Sequence, residues 1–156
     1  MPIDNKATRE KQPELKPWNN CKSVFLAAPT RDPNDIHMKH GLELTEAFKN
    51  TPANGGGRMS SGRTLKCHVD YPGHKDVYGR INPSHPGPTI TTACINPSKG
   101  RFVHPVQHHG ITVRHAARLQ TFPDTYVFEG GLTAAGVRGY AKMHHGRPPL
   151  WWSVAE

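Results

Sequence analysis

The sequence predicts a small α+β domain of irregular build, with short strands and short helices rather than one large sheet. Three observations carry this. A chain of 156 residues is long enough for one domain with a modest core, and its 15 glycines and 15 prolines cut it into short pieces. The apolar runs are brief, and their spacing switches between the period of a strand and that of a helix. No run is long enough to cross a membrane, and the opening "MPIDNKATREKQPELKPW" has charges where a leader would be apolar. The chain is therefore expected to be soluble, unprocessed and cytoplasmic, with no membrane partner.

The elements follow in order. Residues 1–20 are polar and interrupted by Pro2, Pro13 and Pro17, which predicts an N-terminal arm without regular structure. "SVFLAAP", residues 23–29, is an apolar run closed by Pro29 and reads as one buried strand. "LELTEAFKN", residues 42–50, sets Leu44, Ala47 and Phe48 on one side, and Thr51-Pro52 stops it, so about two turns of helix are expected. "TPANGGGRMSSGR", residues 51–63, reads as a flexible connector, because its glycines and serines offer nothing to pack. It has neither the strand before it nor the lysine after it that a phosphate loop needs.

From Val77 onward β-type pieces, Val77 to Ile81 and Thr89 to Cys94, alternate with Pro and Gly turns. In "TITT" the period of two would send Ile90 to a core and leave Thr89 and Thr91 outside. Those hydroxyls, with Thr92, suit phosphate or base-edge contacts, and threonine also favours strands for reasons unconnected with DNA. "ITVRHAARLQTFPD", residues 111–124, is a helix with its own signals. Thr112 is the N-cap, Ile111 a staple, Ala116, Ala117 and Leu119 the inner face, and Pro123 the stop.

Charge and thiols narrow the partners. The formal charge is +8, and between Asp76 and Asp124 there is no acidic residue, while Arg80, Lys99, Arg101, Arg114 and Arg118 all fall there. Such a stretch attracts a polyanion, DNA above all, and it also fits a solvated basic face; charge alone does not separate the two. Arg114 and Arg118 share a helix face and repel unless an anion answers each. Arg114, in the first turn, opposes the helix dipole and is assigned a structural bridge whose loss would cost roughly 1.5–3 kcal/mol. Arg118 is assigned to phosphate. Cys21, Cys67 and Cys94 are odd in number and lack a Cys-x-x-Cys pair, which predicts reduced thiols and no structural metal. The paired histidines at 37 and 40, 108 and 109, and 144 and 145 read as surface residues before metal ligands.

Residues 78–137, "YGRINPSHPGPTITTACINPSKGRFVHPVQHHGITVRHAARLQTFPDTYVFEGGLTAAGV", closely resemble the C-terminal part of bacterial DNA (cytosine-5) methyltransferases. "PGPTITT" looks like the end of their target recognition domain, and "TVRHAARLQTFPD" like their ninth motif. "SVFLAAPTRD" and "LELTEAFKNTP" are similar to the strand after the eighth motif and the helix that follows it. The resemblance implies a target-recognition-like region at 21–137 and a fold like that domain, followed by a divergent tail at 138–156, which does not match the family's tenth motif.

It further implies a DNA-binding portion of an S-adenosylmethionine-dependent enzyme of the restriction-modification type, incomplete by itself. No cysteine here follows a proline, so none matches the family's nucleophile. The eighth-motif arginines would fall on Cys21 and Ser23, and the Glu-Asn-Val base clamp and Phe-x-Gly-x-Gly cofactor turn are absent from the sequence. The expected partners are DNA and a separate catalytic chain, with no cofactor bound by this chain alone. The expected DNA contacts are Arg80, Thr89, Thr91, Thr92, Lys99, Arg101 and Arg118, and the expected structural pair is Thr112 and Arg114. A small basic DNA- or protein-binding module derived from the family is the alternative.

Overall fold

The computed structural model describes residues 18–61 and 75–128. Residues 1–17 of the expected arm, Cys67, the end of the glycine-rich loop and the tail at 138–156 lie outside the described residues. Within them, two α-helices, α1 (Leu42–Asn50) and α2 (Val113–Leu119), are joined by extended and turning chain. Three single turns of 3₁₀-helix occur at Lys22–Phe25, Arg58–Ser61 and Pro97–Lys99.

Helix α1 ends where expected. Thr51 leaves helical backbone at ψ 118° ahead of Pro52, and its hydroxyl donates to the Ala47 carbonyl at 2.8 Å, satisfying one of the free carbonyls of the last turn. Ala47 and Phe48 are buried. Helix α2 is capped as its sequence predicts: the Thr112 hydroxyl accepts from the His115 amide at 3.1 Å, and the His115 Nδ1 accepts from the Thr112 amide at 3.2 Å. This is a reciprocal capping box with histidine where Glu or Gln is usual.

Helix α2 is wedged between two apolar clusters. Ala116 and Leu119 pack on Cys21, Val24, Ile81, Phe102 and Ile111. Val113 and Ala117 belong to the second cluster, with Ile95 and Phe128, and Cys94 touches both. Each large side chain sealed in this way contributes roughly 1.5–3 kcal/mol. A seven-residue helix, too short to persist alone, is thereby held in place.

The expected strands do not form. The run at 23–29 becomes the 3₁₀ turn Lys22–Phe25 followed by extended chain at Leu26. Its carbonyls at Val24, Leu26 and Ala27 are taken by Arg118 instead of a neighbouring strand. Left-handed residues break the other two runs: Tyr78 at φ 58° lies inside 77–81 and Ala93 at φ 59° inside 89–94. What remains is a pair of isolated bridges, with Val103 parallel to Arg80 on one side and antiparallel to Gly110 on the other. Ile90 packs on the core while Thr89 and Thr91 stay exposed.

The glycine loop is closed rather than an open connector. The Gly56 amide donates to Pro52 at 3.2 Å, Gly55 supplies a left-handed φ of 94°, and Arg58 and Ser61 are buried. The described structure is thus a small, mostly irregular domain with helices and β-bridges.

Candidate functional site

Arginine guanidinium groups gather the irregular chain. Arg114 is fully buried and meets Asp32 edge to edge, Nε to Oδ2 at 2.5 Å and Nη2 to Oδ1 at 3.0 Å. It also donates to the carbonyls of Pro123 (3.3 Å) and Tyr126 (2.9 Å). The Asp32 carboxylate is aimed by its own turn, accepting the Asn34 amide at 2.8 Å. The hydrogen bond from Arg114 holds the Asp32 carboxyl below the usual carboxylate range in spite of burial. Asn34 completes the latch. Its amide group donates to the Phe128 carbonyl and accepts from the Phe128 amide, both at 2.8 Å, while its backbone carbonyl takes the Arg114 amide at 2.9 Å.

The arginines expected at phosphate are turned inward. Arg118 grips Asp124 with two bonds of 2.8 and 2.7 Å and spends its remaining donors on Val24, Leu26 and Ala27. The acidic answer to its charge comes from Asp124. The two like charges on α2 do each require an anion, and the chain supplies both from within. Arg80 is 3% exposed and surrounded by carbonyls of Thr51 (3.1 Å), His104 (2.5 Å), Gln107 (2.8 Å) and Phe48. Four backbone acceptors occupy its fork.

Arg101 stands between these cases. It donates to Gly55 at 2.5 Å and pairs with the exposed Asp76 at 2.7 Å, and its side chain retains 27% exposure. Thr89, Thr92 and Lys99 are exposed, and the Thr91 hydroxyl donates to the Lys99 carbonyl at 3.2 Å, tying the threonine run to the lysine turn. Of the expected DNA contacts, Thr89, Thr91, Thr92 and Lys99 are exposed, with the edge of Arg101 beside them.

A second constellation was not anticipated. Asp35, His37, His104, His109 and His115 line a pocket of about 330 Å³ beside Phe25. Their hydrogen bonds dictate their tautomers. The Nδ1 of His104 accepts the amides of Val106 (3.1 Å) and Gln107 (2.9 Å), and the Nδ1 of His115 accepts that of Thr112, so each neutral ring carries its proton on Nε2. His37 and His109 face carbonyls through Nδ1, at 2.9 and 2.6 Å, and carry the proton there. Their rings stack at 3.8 Å.

Burial pushes His104 down to about 3, with neighbouring positive charge adding to the effect, and pushes His115 down to about 4 against the opposing charge of Asp35. Protonation would also set an Nδ1–H against amides that can only donate. Among the described residues no group of three or more His, Cys, Asp or Glu side chains is placed to hold a metal ion. The one local clue to this pocket was His115 at the capping position where a carboxylate or amide is usual.

Similarity to known proteins adds to this geometry. A type II methylase of Herpetosiphon aurantiacus is 46% identical over 71 residues, 43% of this chain and 20% of the relative. A type II methyltransferase of Desulfomicrobium norvegicum is 33% identical over 155 residues, covering 87% of this chain and 34% of that protein. A DNA (cytosine-5)-methyltransferase of Paracentrotus lividus is 45% identical over 47 residues, 28% of this chain and 3% of the relative. No family model and no solved structure matches the chain. It spans about a third or less of the length of these three relatives. These partial matches fit a C-terminal portion of a DNA (cytosine-5) methyltransferase.

Proposed function

We propose that this chain is the DNA-recognition portion of a cytosine-5 methyltransferase of the restriction-modification type, and that it works beside a catalytic portion that binds S-adenosylmethionine. The reading rests on one observation above the others: homology to type II methyltransferases is joined to an acid-free basic stretch whose exposed Thr89, Thr92 and Lys99 lie on one connected turn system. Phosphate contacts from such side chains position a protein on DNA, and hydroxyl groups can also reach base edges. Catalysis is assigned elsewhere because the nucleophile of the reaction, a cysteine after proline, has no counterpart among Cys21, Cys67 and Cys94. The latches of Arg114 and Arg118 serve this role indirectly, by fixing the ninth-motif helix against the core.

Two measurements test the reading. Purified chain with tritiated S-adenosylmethionine and mixed-sequence DNA is expected to give no incorporation above a protein-free control. Supplied in trans to a cytosine-5 methyltransferase lacking its corresponding C-terminal portion, the chain is expected to restore methylation. Failure to bind DNA in a salt-dependent manner, together with failure to complement, would reject a recognition role and leave a protein-binding module.

A further inference from the structure

We infer that the histidine pocket binds a neutral planar heterocycle bearing a hydrogen-bond acceptor beside a donor, the nucleobase class, with His104 and His115 donating from Nε2 and Asp35 accepting. This reading stands apart from the DNA surface at Thr89, Thr92 and Lys99 and does not depend on it.

The donors are unusual in being both buried and unspent. His104 and His115 are each 6% exposed, and backbone amides on Nδ1 hold the proton of each ring on Nε2. Neither Nε2–H has a protein partner among the described residues, and neither is among the side-chain nitrogens sealed from solvent. Each therefore keeps access to solvent, on residues that both line the pocket. Their ring centres are 5.2 Å apart, and both rings lie 5.1 Å from Phe25, so the two donors and an aromatic surface border one space. A polar N–H on a half-buried wall favours a ligand that accepts a hydrogen bond over an apolar one.

Three ligand classes can be set against this geometry. A transition metal is disfavoured because it needs imidazole lone pairs, and those of His104 and His115 are committed to backbone amides while their other nitrogens carry protons. An oxyanion would satisfy both donors but would meet the Asp35 carboxylate, which lines the same pocket. The nearby Arg80 does not reverse that penalty, since its fork is filled by four carbonyls. A neutral heterocycle with an acceptor and an amino or imino group uses the donors and the carboxylate together, with the Phe25 side chain lining the same pocket. The volume of about 330 Å³ is within the range of small-molecule sites and admits a single or fused ring.

The test uses the full chain labelled with nitrogen-15 at histidine. Cytidine, adenosine and guanosine are titrated while the side-chain Nε2 signals of His104 and His115 are followed by NMR. Saturable shifts at both rings are expected for at least one nucleoside, with inorganic phosphate unable to compete. A single-stranded oligonucleotide that displaces the nucleoside assigns bases in a strand as a source. One that does not assigns free nucleosides.

His115→Gln is the informative variant. Glutamine suits the capping position through its Oε1, so the helix is retained, while the imidazole Nε2–H is replaced by an amide N–H that the capping bond holds away from its place. Affinity is expected to fall about tenfold, with thermal unfolding close to that of the parent. No shift up to about 10 mM of any nucleoside, in the range of very weak binding, overturns the inference. So does unchanged affinity in His115→Gln, or phosphate binding that produces the same shifts.

Discussion

Arg114 and Arg80 make a natural comparison, because both are buried and both organise irregular chain, yet they do so by different chemistry. Arg114 closes on a carboxylate brought from far along the sequence, with both side chains of the pair 2% exposed or less. Arg80 has no carboxylate and collects backbone carbonyls alone. The first arrangement neutralises a buried charge. The second supplies donors to a cluster of loop carbonyls that no sheet among the described residues satisfies. In a domain with few strands, arginine takes over work that ladder hydrogen bonds do elsewhere.

The largest effect is expected at the paired site. Removing the guanidinium in Arg114→Ala leaves Asp32 buried without its cation, and breaking a buried pair costs about 3–5 kcal/mol. This exceeds the roughly 1.5–3 kcal/mol that one charged hydrogen bond would account for. Urea unfolding at pH 7 gives the number, and a midpoint equal to the parent's would show that α2 is not held through this residue.

Arg80→Ala leaves several acceptors unpaired without stranding a charge, and about 2–4 kcal/mol is expected. Acid separates the two sites. The carboxyl of Asp32 is held below its ordinary value, so its contribution is present above the unfolded pKa and is lost as pH falls through the folded one. The penalty of Arg114→Ala should therefore shrink under acid conditions, while that of Arg80→Ala should not follow Asp32. Equal acid dependence in the two variants would erase the distinction.

The histidine pocket sets a third scale. His104 and His115 are depressed to about 3 and about 4, so the unfolded chain binds more protons than the folded one below pH 6.5, and stability falls as pH falls. From pH 7 to pH 5 the loss is about 2 kcal/mol per ring. Replacing one ring in His115→Gln should remove about half of that slope, measurable by denaturant titration at the two pH values. A flat profile between them would mean that the rings are not buried neutral.

The smallest effects distinguish structural from surface cations. Arg118→Ala is expected to cost about 1–2 kcal/mol, since its partner Asp124 is partly exposed. It should leave the salt dependence of DNA binding unchanged. Lys99→Ala should leave stability unaltered and lower the salt slope by about one. A reversal of the two phenotypes would return Arg118 to the DNA.

What could be read without coordinates was local. The cap at Thr112, the stop at Pro52 and the inner face of α2 involve residues a few positions apart, and their physics is complete within the segment. The need for an anion at Arg114 and Arg118 was also legible, from two cations four residues apart. Which anions would answer was not, because Asp32 lies 82 residues from Arg114. The strands at 77–81 and 89–94 were misread for a related reason. Their apolar and threonine-rich composition favours extended chain, whereas tertiary packing places left-handed turns at Tyr78 and Ala93.

Composition and motif order by themselves determined a small basic domain, two short helices with their boundaries, and kinship with DNA methyltransferases. Tertiary structure alone decided which arginines are spent on the fold, which hydroxyls and lysine remain at the surface, and that histidines from three parts of the chain line one pocket. The physical reason is range. Capping and periodicity act over one helical turn, whereas a guanidinium or an imidazole selects its partners by proximity in space, and residues 24, 32, 80, 104 and 118 become neighbours only after the chain has closed on its two apolar clusters.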